Sequence, residues 1–74
     1  MMERDELRQL VGSAIREYRV SQRLSQEKLA LMVGSSKSHI WRIETGRVGV
    51  GLDDLGRIAN ALEVDISQLF SAKR

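Results

Sequence analysis

The sequence predicts an all-α protein, and three observations lead to that fold class. Apolar residues recur at intervals of three and four, the spacing of one face of an α-helix. Small polar or acidic residues that can cap a helix precede these stretches, and glycine follows two of them. Aromatic residues make up only 4% of the chain and proline is absent, so strands and polyproline segments have little support. At 74 residues, we expect five short helices in one domain over 1–74, with its core at about 7–70.

The first helix is predicted to run from about Glu3 to about Ser21. Glu3, Asp5 and Glu6 lie in its first turns, where carboxylates offset the positive end of the helix dipole. Its apolar face consists of Leu7, Leu10, Val11, Ala14, Ile15 and Tyr18.

The second helix is predicted to begin after Ser25, which acts as its N-cap. Leu24 and Leu29 flank this start at the spacing of a hydrophobic staple, and Gly34 ends the helix. The segment therefore has recognisable signals at both of its ends.

The third helix is predicted from Lys37 to Glu44, with Ser36 as its cap and Gly46 as its stop. Two short helices joined by a turn of three or four residues that contains glycine form a helix-turn-helix. We expect that motif at about 25–45. The inward positions of the third helix are Ile40 and Ile43.

A loop at 46–51 leads to the last two predicted helices. In the fifth, Asp65 and Gln68 stand at the spacing of a capping box, with Val64 and Leu69 as a hydrophobic staple. The apolar stripe of the fourth helix consists of Leu52, Leu55, Ile58, Ala59 and Leu62.

The outward face of the third helix has an unusual composition. Each residue turns the helix by about 100°, so the inward isoleucines fix which side chains face outward. That face has cations, hydroxyls and a ring but no carboxylate, because Glu44 falls nearer the inward side. Ser38, Trp41, Arg42 and Thr45 point outward, with Lys37 and His39 on the flanks.

The charge distribution favours an anionic partner for the helix-turn-helix. The whole chain has a formal charge of only +2, which is weak evidence for any partner. Residues 23–51 contain five cations and two carboxylates, a net charge of +3, whereas 1–22 is neutral and 52–74 has a net charge of −1. The excess positive charge therefore lies on the predicted motif.

Double-stranded DNA fits these features, because its major groove admits one helix and presents acceptors at guanine and a methyl at thymine. Lys37 and Arg42 suit guanine, whereas Ser38 and Trp41 suit adenine, thymine methyls or the backbone. Backbone N–H groups at the starts of the second and third helices suit phosphates. The candidate DNA-binding residues are Ser25, Gln26, Ser36, Lys37, Ser38, His39, Trp41, Arg42, Thr45 and Arg47.

On these residues the chain resembles the Cro/C1-type (XRE) helix-turn-helix family of phage repressors and bacterial regulators. The similarity runs through IREYR (15–19), LSQEKLA (24–30), GSSKSHIWRIETG (34–46) and LDDLGRIANALEVDISQLF (52–70). It implies a compact five-helix lambda-repressor-like DNA-binding domain with the third helix in the major groove. It also implies a small sequence-specific transcriptional regulator, which we expect to be a repressor and a homodimer on a palindromic operator.

The resemblance also assigns roles to individual residues. It implies that Gln26 binds a phosphate and that Ser36, Lys37, Ser38, Trp41 and Arg42 read bases or backbone. Arg19 and Glu44 match a partly buried ion pair that holds the first helix to the third. Arg23 departs from the family, because glycine is common there and a left-handed backbone would cost an arginine about 1 kcal/mol.

Several alternatives remain open at this point. A protein-interaction module such as an antitoxin or antirepressor could use the same fold. Trp41 could contact DNA, fold over its neighbours or pack in an interface. His39 suits a phosphate contact or a neutral surface position, because no second histidine and no cysteine accompany it as metal ligands or catalytic groups. Val48, Val50, Leu69 and Phe70 could close the edge of the core or mediate self-association.

Other function classes have little support in the sequence. An enzyme is not expected, because the chain lacks a glycine-rich phosphate loop after a strand and has one histidine and no cysteine. We expect no cofactor, no metal and no small-molecule ligand. No apolar run is long enough to span a membrane, and MMERDELRQL is unlike a secretory signal. The absence of cysteine suits a reducing compartment, so we expect a cytoplasmic protein.

Overall fold

The computed structural model describes residues 2–71, which form four α-helices and one 3₁₀ helix. No strand occurs within these residues, so the all-α prediction is confirmed. The α-helices are α1 (Arg4–Ser21), α2 (Gln26–Val33), α3 (Lys37–Glu44) and α4 (Leu52–Leu62), and the 3₁₀ helix is Ile66–Phe70. The helix-turn-helix consists of α2 and α3, as the sequence predicts.

Of the five predicted helices, four are α-helices, whereas the last segment is only a 3₁₀ helix of five residues. Its predicted start is present, because the backbone N–H of Asp65 donates to the Gln68 side chain at 2.8 Å. The segment places one side chain, Leu69, fully in the core before the backbone becomes extended at Ser71. One tight turn suffices for that contact, and 3₁₀ geometry is usual in such short pieces.

Local signals at the ends of α2 and α3 agree with their sequence. The hydroxyls of Ser25 and Ser36 accept hydrogen bonds from the third N–H of each helix, at 2.9 and 3.1 Å. Gly34 and Gly46 follow the two helices with φ of 70° and 74°, in the left-handed region that glycine adopts without steric cost. The cap hydroxyls and the glycines thus delimit the motif from both sides.

The core lies between the apolar faces of the α-helices and the 3₁₀ helix. Two leucines predicted on inward faces are exposed instead: Leu7 at 41% and Leu52 at 76%. Both stand in the first turn of their helices, ahead of the first residue that packs on the core. The buried apolar residues are Val11, Ile15, Leu29, Ala30, Ile40, Ile43, Leu55, Ile58, Ala59, Leu62 and Leu69.

Helix α1 approaches the end of α3 closely at Gly12. A Cβ at this position would overlap the carbonyl oxygen of Ile43 and lie 3.0 Å from that of Glu44. Only the absence of a side chain at Gly12 therefore permits this spacing between the helices. The close approach fixes α3 relative to the long first helix.

Within residues 2–71, no helix is both long enough and apolar enough to cross a membrane.

Candidate nucleic-acid interface

Helix α3 divides cleanly between a buried and an exposed face. Ile40 and Ile43 are 0% and 1% exposed, and Glu44 is buried beside them. Ser38, Trp41, Arg42 and Thr45 are exposed on the outward side, together with Lys37 at the helix start. The outward face has no carboxylate, because the one acidic residue of α3 is turned inward.

Glu44 forms the predicted ion pair with Arg19. The Nε of Arg19 donates to one carboxylate oxygen at 2.6 Å, and its Nη2 donates to the other at 3.0 Å. The remaining Nη1 donates to the carbonyl oxygen of Leu24 at 2.6 Å. Arg19 on α1 is thus bound both to α3 and to the segment that leads into α2.

Gln26 also contacts this pair, which sequence reasoning did not anticipate. Its side-chain amide donates to a Glu44 carboxylate oxygen at 3.0 Å. Side chains of α1, α2 and α3 therefore meet at one carboxylate. No sequence pattern signals this contact, because the two residues lie 18 positions apart in different helices.

The starts of α2 and α3 present backbone donors. The first N–H groups of any helix have no carbonyl partner within it. In both helices the third N–H is taken by the cap serine, which leaves the N–H groups of Gln26 and Glu27 in α2 and of Lys37 and Ser38 in α3. The positive ends of two helix dipoles and these donors are suited to anions.

His39 is separated from the other candidate residues. Its side chain is half-buried and lines a surface cleft of about 200 Å³ beside Gly34, Asp54 and Arg57. The side chain therefore faces α4 rather than the outward side of α3. The backbone N–H of His39 donates to the Ser36 hydroxyl. Within residues 2–71, no group of three or more histidine, cysteine or acidic side chains could hold a metal ion.

Trp41 and Arg47 form a stacked pair at the C-terminal end of the outward face. The guanidinium carbon of Arg47 lies 4.9 Å from the centroid of the indole ring, a cation–π arrangement. The Thr45 hydroxyl donates to the carbonyl oxygen of Trp41 at 2.8 Å, a hydrogen bond within the C-terminal end of α3. Trp41 remains 44% exposed.

Four residues were expected either to close the edge of the core or to mediate self-association: Val48, Val50, Leu69 and Phe70. Leu69 is fully buried, and Val48 and Val50 pack against the core. These three close its edge. Phe70 is 42% exposed and, with Leu7, lines an apolar surface groove of about 180 Å³.

The capped helix pair, its short turn and the buried ion pair define a helix-turn-helix domain. A family described as Helix-turn-helix matches residues 15–69, so the chain belongs to the helix-turn-helix family. This confirms the resemblance predicted from the sequence.

Individual relatives agree with this assignment. The chain is 38% identical over 64 residues to Control protein C.BamHI of Bacillus amyloliquefaciens, covering 85% of this chain and 79% of that protein. The restriction-modification controller protein C.AhdI from Aeromonas hydrophila has a similar structure, with a TM-score of 0.87 and 30% identity over 93% of this chain and all of that one. The clp gene regulator ClgR from C. glutamicum has a TM-score of 0.81 and 25% identity over 85% of this chain and 82% of that one.

Proposed function

We propose that the chain is a DNA-binding transcriptional regulator that reads a specific duplex sequence with α3 in the major groove. One observation carries this proposal. The outward face of α3 presents two cations, hydroxyls and a ring, while the single carboxylate of the helix, Glu44, is buried in an ion pair. An exposed helix face without acidic groups fits a groove that is lined by acceptors and flanked by phosphates.

Phosphate contacts come from the two helix starts. The N–H groups of Gln26 and Glu27 face one backbone segment, and those of Lys37 and Ser38 face another. Hydrogen bonds to phosphate fix the register of a protein on the duplex, and base contacts then supply the specificity. The Ser25 and Ser36 hydroxyls cap the helices, so we assign them a supporting role.

Base contacts come from the outward side chains of α3. Lys37 and Arg42 suit the O6 and N7 acceptors of guanine. Ser38 and Trp41 lie between them on the exposed surface, within reach of bases or backbone. Arg47 adds a cation beyond the end of the helix, whereas His39 faces α4 and receives no role in base reading.

We further propose a cytoplasmic homodimer that acts as a repressor on a palindromic operator, because two-fold pairing doubles the DNA contacts that one small domain makes. Leu52 and Phe70 are candidates for the pairing surface, since both are large apolar side chains exposed to solvent outside the helix-turn-helix. C.AhdI is a restriction-modification controller. That similarity makes the region upstream of this gene the first natural duplex to test.

Selection of bound sequences from a random duplex pool tests the proposal directly. Purified protein should enrich one motif, and its symmetry should give the half-site spacing. Failure to enrich any motif at low salt would contradict the proposal and favour the protein-interaction alternative.

Two variants test the assignment of the site on the selected duplex. Arg42→Ala removes one base contact and should weaken binding by about 10-fold to 100-fold, with no change in thermal unfolding. Gln26→Ala removes the side chain that the family resemblance assigns to a phosphate, so it should weaken binding as well. It should also cost a little stability, because Glu44 loses one of its hydrogen bonds. Ser13→Ala on the exposed side of α1 is the control. Unchanged affinity in both variants would refute the assigned site.

A further inference from the structure

The stacked pair of Trp41 and Arg47 has features beyond those on which the proposed function depends. The guanidinium of Arg47 lies against the indole ring, with its carbon 4.9 Å from the ring centroid. A cation in that position is held by the ring quadrupole, with an attraction of about 0.5–1 kcal/mol at an exposed site. The contact therefore restrains the ring of Trp41 before any partner arrives.

The backbone around the pair is also fixed. The N–H of Arg47 donates to the carbonyl oxygen of Arg42 at 2.9 Å. Gly46, with φ of 74°, supplies the left-handed residue that turns the chain at this point. The backbone of Arg47 is therefore held at the end of α3, in a position from which its guanidinium reaches the Trp41 ring.

The ring borders the surface that would meet the duplex. Trp41 lines a shallow depression of about 340 Å³ together with Gln26, Lys37 and Ser38. Arg47 lies over the indole, and Trp41 as a residue remains 44% exposed. An apolar surface is therefore presented beside the proposed phosphate and base contacts.

Only one feature of the major groove matches an apolar ring. Adenine, guanine and cytosine present hydrogen-bond donors and acceptors there, whereas thymine adds a methyl group at C5. We propose that Trp41 is a specificity-determining residue that contacts the 5-methyl group of a thymine in each half-site, and that Arg47 is the positioning residue that holds its ring. This inference rests on the proposed DNA-binding function.

Replacement of thymine by deoxyuridine tests the contact, because it removes only the methyl group. The probe is the duplex recovered from the random pool, with one thymine at a time replaced symmetrically in both half-sites. At one thymine position the wild-type protein should lose affinity by roughly threefold to fivefold for each half-site. This is the change in affinity that corresponds to burial of one methyl-sized group. Trp41→Ala should bind the thymine and deoxyuridine duplexes equally.

Two further variants separate reading from positioning. Lys37→Ala should bind more weakly but keep the full ratio between the two duplexes, because its own contact lies elsewhere. Arg47→Lys retains the charge but lacks the planar group that stacks on a ring, so it should reduce this ratio. Since the ratio compares two ligands of one protein, a general loss of folded protein does not change it.

Trp41 is the only tryptophan, so its fluorescence reports on the site alone. Arg47→Ala should change the emission of the free protein, and addition of the selected duplex should change that of the wild type. A duplex that is enriched and bound but shows no deoxyuridine effect dependent on Trp41 would overturn this inference and leave the proposed function intact. Failure to enrich any duplex would overturn both.

Discussion

At the scale of single residues, the buried carboxylate of Glu44 joins side chains of three helices near the interface. It accepts two hydrogen bonds from Arg19 and one from Gln26. Within residues 2–71, no buried side-chain nitrogen or oxygen lacks a hydrogen-bond partner. A charge held in this way is tolerated only while all its partners are in place.

Removal of that carboxylate should be costly. Glu44→Leu leaves the Arg19 guanidinium buried without its counter-charge, and we expect a loss of about 3–5 kcal/mol in the free energy of unfolding. Urea unfolding measures the change. The double variant Arg19→Met/Glu44→Leu should recover much of the loss, since no buried charge remains. A double variant as unstable as Glu44→Leu alone would argue that shape, not charge, dominates at this site.

Arg23 is a second residue with a definite cost. It has φ of 60° and its side chain is exposed, so the backbone carries the steric cost of the left-handed region. Arg23→Gly relieves roughly 1–2 kcal/mol of left-handed strain but loses about 0.4–1 kcal/mol through the freer unfolded chain. We expect a net gain of between about 0 and 1.6 kcal/mol in the free energy of unfolding, measured with urea.

The matched control for this change is Arg16→Gly, the same substitution at an exposed position inside α1. There glycine should cost about 1 kcal/mol, because the helical backbone gains nothing from it. Equal losses in the two variants would show that Arg23 is not strained.

At the scale of helices, the spacing of α1 and α3 depends on Gly12. A methyl group there meets the backbone carbonyls of Ile43 and Glu44, which cannot move aside as a flexible side chain would. Gly12→Ala should therefore separate the helices and lower the unfolding free energy by about 1–3 kcal/mol or more. Thermal unfolding and urea titration both measure this loss.

Gly56 provides the control in α4, because a Cβ there meets nothing within 4 Å. Gly56→Ala should stabilise the protein by about 0.4–1 kcal/mol through helix propensity and reduced unfolded-state entropy. Stabilisation by alanine at both positions would contradict the close approach described for Gly12.

Sequence reasoning predicted those features of the helices that depend on local chemistry. The cap serines and the glycines that end α2 and α3 act within four residues of their own position, so the pattern along the chain contains them. The Arg19–Glu44 pair came from family resemblance. The buried spacing at Gly12 was missed, because a glycine inside a helix does not reveal which neighbour comes close.

Other errors have the same origin. The helical repeat places Leu52 on the side of α4 that faces the core. Periodicity does not show how far along the helix the packing partner extends. The Gln26–Glu44 hydrogen bond and the Trp41–Arg47 stack join residues from separate segments. The hydrogen bond depends on how α2 and α3 are placed together, and the stack depends on the turn after α3, and helical spacing specifies neither.

At the scale of the whole molecule, charge is distributed unevenly around a nearly neutral total. The +3 of residues 23–51 lies on the segment that contains both helix starts. Each phosphate that a cation neutralises releases counterions and steepens the dependence of affinity on salt. Position, and not the total charge, should therefore determine the effect of any charge change.

A pair of variants with equal net charge tests this expectation. Arg47→Gln should reduce the slope of log affinity against log salt concentration by about 1 for each bound protomer. Ser13→Asp lowers the net charge by the same amount at an exposed position of α1, outside the helix starts and the outward face of α3. It should leave the slope nearly unchanged. Equal reductions would mean that binding responds only to overall charge.

Self-association is the second property of the whole molecule that can be tested. The proposed homodimer should sediment at twice the 8.4 kDa mass of one chain, and Phe70→Ser and Leu52→Ser should shift it towards the monomer. Leu31→Ser is the control, because Leu31 is 75% exposed on α2. If all three variants sediment like the wild type, the proposed pairing surface is wrong.

The division of α3 into two faces has a consequence for how such regulators diversify. Within eight consecutive residues, the positions that anchor the helix, Ile40, Ile43 and Glu44, do not overlap those that face outward. Outward side chains can therefore be exchanged by point mutation without disturbing the anchor. We expect descendants of this chain to acquire new operators through changes at Lys37, Ser38, Trp41 and Arg42 on an otherwise retained scaffold.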